Sequence, residues 1–253
     1  MNSDYLSICS DLSDLGLKKG DIVLIHSSFK SLGYVHGGIE SLINAILAVI
    51  GDSGTLIAPT LTYRDVSVDH PVFDYINTPS CVGAVSEYVR LHPDSKRSIH
   101  PTHSCSVIGA KRDYFAAGHE IDRTPIGQNS PFFKLKEHGG KILMLGCGLG
   151  PNTSCHGIEE AAGASYVLPK TPSAYTIILP DRTYTIDFYR HHITQNGFSQ
   201  HYERAESFFD DNFVSVGAVH GAKSFLIGAS ELWKRGIEKL KEDECFFVEK
   251  VKQ

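Results

Sequence analysis

The sequence predicts an α/β protein, a three-layer α/β/α sandwich with a mixed central sheet, and three observations carry that reading. Short, largely apolar runs recur at residues 21–25, 55–58, 104–108 and 141–145, and the run 142–145 has no room for a solvated face, which suggests a strand covered on both sides. Segments with helical spacing separate them. Two of the runs stop at polar or glycine-rich stretches, His26-Ser27-Ser28 and Gly146 to Gly150, the kind of loop that opens at a strand's end where α/β sheets place their sites.

Taken in order, residues 4–17 place apolar side chains at positions 5, 8, 12, 15 and 17, which predicts a first helix that ends at Gly16 and Gly20. A strand over 21–25 follows. Gly37 and Gly38 precede a second helix over 39–50, and residues 55–58 resume as a strand before Pro59. The alternation of helix and strand continues through 82–91, 104–108 and 141–145. In the second half, 175–179 and 183–188 read as a hairpin around Pro180, Asp181 and Arg182, and the polar, aromatic stretch 189–209 reads as a long insertion. That inserted segment, about 181–210, is the expected substrate-binding element. A strand at 213–216, a segment 217–240 that includes a helix, and a last strand around 245–248 complete the chain. With no repeat, low-complexity tract or linker, residues 1–253 are expected to form a single domain.

Composition narrows the class. The 253 residues are 42% hydrophobic and 21% charged, enough for a core without disulfides or structural metal. A formal charge of -5 argues against nucleic acid as a partner. The helix-like run 41–50 is cut by Gly51 and Asp52 before it reaches the length of a membrane span. The N-terminus lacks a basic start followed by an apolar block, so a cytoplasmic protein is expected. Six cysteines, at 9, 81, 105, 147, 155 and 245, have no paired spacing and read as reduced thiols. Neither His100/His103 nor His191/His192 has a partner at a standard ligand spacing, so no metal is expected. A homo-oligomer is compatible with all of this.

The most informative stretch is 141–160, a buried strand running through a glycine turn into a helix. Asn152, Thr153 and Ser154 are all competent caps, and His156 and Glu159, three apart, share a helical face. A carboxylate beside an imidazole can orient it as a general base. The same pair also fits an ordinary surface interaction worth a few tenths of a kcal/mol, about 0.2–0.5.

Four motifs then read together: HSSFKSLGYVHGGIESLINAIL from His26, IHPTHSCSVIGA from Ile99, TPIGQNSPFFKL from Thr124 and GCGLGPNTSCHGIEEAAG from Gly146. In order and spacing the chain resembles the aminoglycoside 3-N-acetyltransferase family over nearly its whole length. The resemblance implies acetyl-CoA as co-substrate. It implies that His26, Ser27, Ser28, Gly37 and Gly38 cradle the coenzyme, with Ser104 at the floor of its site and Ser130 on a second loop; Arg97, just before that floor motif, could meet a phosphate as a bidentate donor, though Ser104 is the stronger candidate for direct contact. Open backbone N–H groups at a glycine-led helix start suit an anion, although a tight turn with serine caps explains the same residues. For the chemistry it implies His156 and Glu159 as the proton-abstracting pair and Thr153 beside them. Transfer would be direct, from the thioester to a small-molecule amine, foremost the 3-amino group of an aminoglycoside, with antibiotic resistance as the consequence.

Other readings stay open. The insertion mixes Arg190, His191, His192, His201 and Arg204 with Asp187, Glu203 and Glu206, which does not announce a polycation site, so a non-antibiotic amine is the alternative acceptor. A cysteine hydrolase could use Cys155 near a helix start, where the dipole lowers a thiol's pKa, and a coenzyme-A-binding module without activity is a third class. The GCGLG run lacks the third glycine spacing of a dinucleotide fingerprint.

Overall fold

The structure, a computed structural model, describes residues 3–251. The chain runs α1 (Ser3–Asp14), β1 (Ile22–Ser27), a 3-10 turn (Phe29–Leu32), α2 (Gly38–Ile50), β2 (Thr55–Pro59), β3 (Val72–Asp74), α3 (Ala84–Leu91), β4 (Lys96–Arg97) and β5 (Cys105–Gly109). It continues through α4 (Arg112–Ala116), α5 (Pro131–Glu137), β6 (Lys141–Leu145), α6 (Ser154–Ala162), the hairpin β7 (Ser173–Ile178) and β8 (Thr183–Phe188), and β9 (Phe198–Gln200). A 3-10 segment (Tyr202–Phe208), β10 (Val214–Val219), β11 (Ala222–Gly228), α7 (Ala229–Glu242) and β12 (Val248–Lys250) close it.

The central sheet has seven strands in the order β10-β11-β6-β1-β2-β5-β4. It is mixed: β1 is parallel to β2 and β6, whereas β5 and β11 are antiparallel to their neighbours β2 and β6. The expected architecture is therefore the one found, and the continuous apolar runs explain it. Because side chains alternate along a strand, Ile22 and Leu24 of β1 with Ile142 and Met144 of β6 face one core, while Val23, Ile25, Leu143 and Leu145 face the other. Helices α5, α6 and α7 cover the first face through Phe132, Ile158, Leu232 and Trp233. Helices α1, α2 and α3 cover the second through Leu12, Leu42, Ile46 and Val89. Each such buried side chain contributes about 1.5–3 kcal/mol against exposure, so both faces must be apolar for the sheet to stand between two helical layers.

Differences from the sequence reading concentrate in the second half. Residues 217–240 hold a strand as well as a helix: β11 pairs antiparallel with β6 and brings β10 with it. The turn between β10 and β11 is His220-Gly221, with φ of 47° and 79°. Two positive φ values across a two-residue loop match the twist of the flanking strands, which is why the hairpin closes there. The expected last strand forms later, as β12, because a turn from the Val248 N–H to the Cys245 carbonyl at 2.9 Å precedes it and Phe247 is turned into the core. β12 pairs with β9 rather than with the central sheet. The hairpin β7/β8 joins β3 in a separate three-stranded sheet.

Candidate active site

Parallel pairing sets the site. β1 and β6 are in register from Val23↔Lys141 to Ser27↔Leu145, so both end at the same edge of the sheet and the two polar loops that follow them are neighbours. Helix α6 starts from the second loop. The Asn152 Oδ1 accepts the Ser154 N–H at 3.1 Å, so Asn152 supplies the local cap. Thr153, at the cap position, makes no side-chain capping bond, and its N–H points to His26 Nε2 at 3.4 Å. His26 is buried, and burial, followed by the charge of His156, pushes its pKa down to about 3, so it stays a neutral acceptor that pins the start of α6.

One turn into α6 lie His156 and Glu159, with Nδ1 and Oε2 3.4 Å apart. Glu159 is fully buried and accepts from the Tyr166 hydroxyl at 3.0 Å and the Tyr202 hydroxyl at 2.8 Å. The Tyr202 Oη is also 2.8 Å from His156 Nδ1. Because its single proton goes to the carboxylate, Tyr202 accepts from His156 Nδ1–H and from Gln200 Nε2 at 2.6 Å. That fixes the imidazole tautomer and leaves His156 Nε2 with its lone pair.

A second imidazole pair lies against this one. The ring of His191 stacks on that of His156 with centroids 4.3 Å apart and 23° between planes. Its Nε2 is 2.6 Å from Glu160 Oε1 and its Nδ1 is 3.1 Å from His103 Nε2. His103 is held in turn: the Thr102 Oγ1 lies 2.9 Å from its Nδ1, and the His100 ring accepts the N–H groups of Thr102 and His103. Burial keeps His103 and His191 far below the ordinary histidine pKa and raises Glu160 to about 7. The ligand atoms of His103, His156 and His191 lie within 4.8 Å of one another, so the fold gathers three metal-competent imidazoles that no sequence spacing joins.

These groups line a cavity of about 470 Å³ together with His26, Ser27, Thr153, Arg190, Gln200 and Tyr202. The segment after β8 supplies Arg190, His191, Ile193, Thr194, Gln195, Gln200 and Tyr202 to the wall. Beside the cavity, Gly148 and Gly150 have open space where a Cβ would stand, so a ligand can approach their backbone closely.

Of the residues singled out from sequence, His26, Ser27, Thr153 and His156 meet in the lining, with Glu159 immediately behind. Ser28, Gly37 and Gly38 lie outside it: the Ser28 Oγ accepts from Ser31 at 2.8 Å, Gly37 caps α2 at φ 84°, and Gly38 opens that helix. Ser104 is buried, donating to the Thr60 carbonyl at 2.8 Å and accepting from Arg97 Nε at 2.9 Å. Ser130 is buried as the cap of α5, accepting the Phe133 N–H at 3.1 Å. Arg97 is consumed inside the fold, donating to the carbonyls of Tyr75, Thr78 and Thr60, with Phe73 against its guanidinium. It therefore has no free fork for a phosphate. Cys155 faces the core between sheet and helices, and burial, then the charge of Glu159, raises its thiol well above the ordinary value. The helix-start effect that suggested a nucleophile is overwhelmed by desolvation.

Tyr202, Tyr166, His191, His103 and Glu160 were not singled out as a site from sequence. The one signal was that Tyr202 and His191 lie in the segment already expected to build the substrate wall.

A sequence model of the family described as "Aminoglycoside 3-N-acetyltransferase" matches residues 24–241. The chain is similar to aminoglycoside N(3)-acetyltransferase IX of Micromonospora chalcea, 33% identical over 174 residues that cover 60% of each protein. It is also similar to the prophage-derived aminoglycoside N(3')-acetyltransferase-like protein YokD of Bacillus subtilis, 30% identical over 170 residues, 59% of this chain and 62% of that one. The chain thus spans about 60% of the length of the curated relatives it matches. In fold it is similar to the crystal structure of YokD, with a TM-score of 0.82 at 24% identity over 95% of this chain and 94% of that one. A structure described as AAC-IIIb binary with CoASH gives a TM-score of 0.78 at 24% identity, covering 94% of this chain and 96% of that one.

Proposed function

The chain belongs to the aminoglycoside 3-N-acetyltransferase family, and from that premise we propose that it moves the acetyl group of acetyl-CoA to an amine of a small molecule, the 3-amino group of an aminoglycoside. One observation carries the reading. His156 Nδ1 is held by Tyr202 at 2.8 Å and Glu159 at 3.4 Å, so Nε2, with the Gln200 amide 3.4 Å away, is the ring nitrogen that keeps its lone pair for an acceptor bound in the cavity.

The reaction we assign uses that geometry. The acceptor nitrogen, as free amine, attacks the thioester carbonyl carbon while His156 Nε2 takes its proton. The new C–N bond sends the carbonyl π pair onto oxygen, where the Thr153 hydroxyl is the donor we assign. Tyr202 and the buried Glu159 carboxylate stabilise the imidazolium through Nδ1. As the carbonyl re-forms, the C–S bond breaks, the thiolate leaves with its electron pair, and the proton held by His156 passes to it. No acyl-enzyme forms.

The acetyl-CoA fit rests on open backbone at Gly148 and Gly150 next to His26, Ser27 and Thr153. Ser28, Gly37 and Gly38 extend that surface toward the start of α2, a helix of 13 residues whose first N–H groups suit phosphate. Ser104, bonded to Thr60 and Arg97, and Ser130, the cap of α5, are buried and lie outside the cavity lining. The single domain is read as a scaffold to which the segment 181–210 adds the acceptor wall.

A second acceptor class is favoured by one observation: the cavity lining named among the described residues contains Arg190 and no Asp or Glu. A polycation would gain nothing from such a wall, whereas a non-antibiotic amine with fewer charges would lose nothing.

The purified chain, given acetyl-CoA and a panel of 2-deoxystreptamine aminoglycosides, should yield a singly acetylated product by mass spectrometry. His156→Ala should lower turnover by about 10²–10⁴-fold. Bound acetyl-CoA with no aminoglycoside product moves the acceptor to other amines, and failure to bind acetyl-CoA overturns the reading.

A further inference from the structure

We propose that His103 Nε2, His191 Nδ1 and His156 Nε2 form a binding site for a single divalent transition-metal ion of the zinc class, with its remaining coordination position open to the cavity. The ligand atoms of these three side chains already lie within 4.8 Å of one another.

The argument starts from the outward ring nitrogens. His191 Nε2 is 2.6 Å from Glu160 Oε1, His103 Nδ1 is 2.9 Å from Thr102 Oγ1, and His156 Nδ1 is 2.8 Å from Tyr202 Oη. Every imidazole therefore has its far nitrogen tethered to an oxygen, the arrangement that fixes ring orientation and presents the near lone pair to a metal. Glu160 is itself anchored, accepting the Ile126 N–H at 3.0 Å, and Glu159 backs Tyr202.

The inner edge is the second observation. With the Nε2 proton of His191 directed at a carboxylate, Nδ1 carries a lone pair, and it faces another ring nitrogen at 3.1 Å. Two nitrogens this close need either a proton or a cation between them. Imidazoles bound to zinc at about 2.0–2.1 Å in a tetrahedron hold their nitrogens about 3.3 Å apart, so the His103–His191 edge has nearly the required span. His156 is the ligand that closes the set. Its side chain borders the cavity, and its ring lies 4.3 Å from that of His191 and 6.0 Å from that of His103, centroid to centroid.

Donor chemistry selects the ion. Three imidazoles, one backed by the Glu160 carboxylate and two by hydroxyls, suit zinc, cobalt, nickel or copper rather than magnesium or calcium, which take oxygen. On binding, the ion takes the place of the proton on the His103–His191 edge, and that proton moves to His103 Nδ1, where Thr102 Oγ1 accepts it, so both rings stay neutral ligands. If His156 is the base proposed above, the ion takes its lone pair and arrests acetyl transfer; only this consequence rests on that reading.

Metal retention is measured without acetyl-CoA or amine, so it is independent of the acyltransferase proposal. The full chain, stripped with chelator, is dialysed against Zn²⁺ and titrated with Co²⁺ while the visible ligand-field bands are recorded. One tightly held ion per chain and intense cobalt bands are expected, with loss of both in His191→Ala. Glu160→Gln should weaken affinity by about 10–100-fold through the tethered ring alone, and it serves as the deciding variant should His191→Ala not fold. No retained ion, or retention unchanged by Glu160→Gln, overturns the proposal.

Discussion

His156 depends on a tyrosine 46 positions away. The Tyr202 hydroxyl joins His156 Nδ1 to Glu159, and the buried carboxylate has Tyr166 as its other phenolic donor. Tyr202→Phe keeps the ring and removes that link. It should reduce kcat about 10-fold, equivalent to about 1.4 kcal/mol, while leaving KM for acetyl-CoA unchanged; steady-state kinetics decide. Thr153 is tested by Thr153→Val, which preserves shape. Loss of an oxyanion donor should lower turnover by about 10²-fold with acetyl-CoA affinity intact, and unchanged turnover removes Thr153 from the mechanism.

The helix that carries this chemistry is held against its neighbour by a missing side chain. A Cβ on Gly157 would stand 2.3 Å from the Trp233 ring, and one on Gly236 would meet Ile158 at 2.8 Å. Helices α6 and α7 therefore approach through reciprocal glycine contacts, and an indole fills the space beneath His156's own turn. Gly157→Ala has no helical strain to blame, since alanine favours helix, so its effect reports packing alone. Overpacking of about 1–3 kcal/mol, at about 2–4 °C per kcal/mol for a domain of this size, should lower the Tm by several degrees. Differential scanning calorimetry checks it, and an unchanged or raised Tm would show that Trp233 can yield.

Across the molecule, five imidazoles are held far from water. His26 and His119 are pushed down to about 3, and His100, His103 and His191 also lie well below their ordinary value of 6.5, with burial the leading cause in each. The unfolded chain binds protons at these sites below pH 6.5 and the folded chain does not, so stability falls as pH drops from 6.5 toward 3. His26 and His119 each contribute a slope of about 1.4 kcal/mol per pH unit in that window, and the other three act in the same direction. Glu160 acts with the opposite sign: raised to about 7, it is stabilising below 4.5 and that contribution is lost as pH rises between the two values. Five groups outweigh one. The Tm should decline steadily from pH 6.5 to 4, and a flat profile by scanning fluorimetry would contradict the buried neutral histidines.

The sequence by itself determined the layers and the first half of the site. Short apolar runs in β1, β2 and β6 pointed to cover on both faces, and the strand, glycine turn and helix at 141–160 placed His156 and Glu159 on one helical face. These are local patterns, set by periods of two and 3.6 residues, and a linear reading recovers them. The tertiary structure decided what depends on side chains far apart in the chain. Ser104 and Arg97 have residue types suited to a ligand but spend donors on carbonyls that only folding brings near, and the Ser130 oxygen accepts the Phe133 N–H as a helix cap. Cys155 sits at a helix start, yet its environment is core, and desolvation outweighs the dipole. Tyr202 and His191 come from the segment after β8 and His103 from the loop before β5, and they meet His156 where the parallel pair β1 and β6 ends and the segment after β8 covers the sheet. Burial and through-space contact have no sequence period, which is why the strands and the helical pair were legible and the imidazole cluster was not.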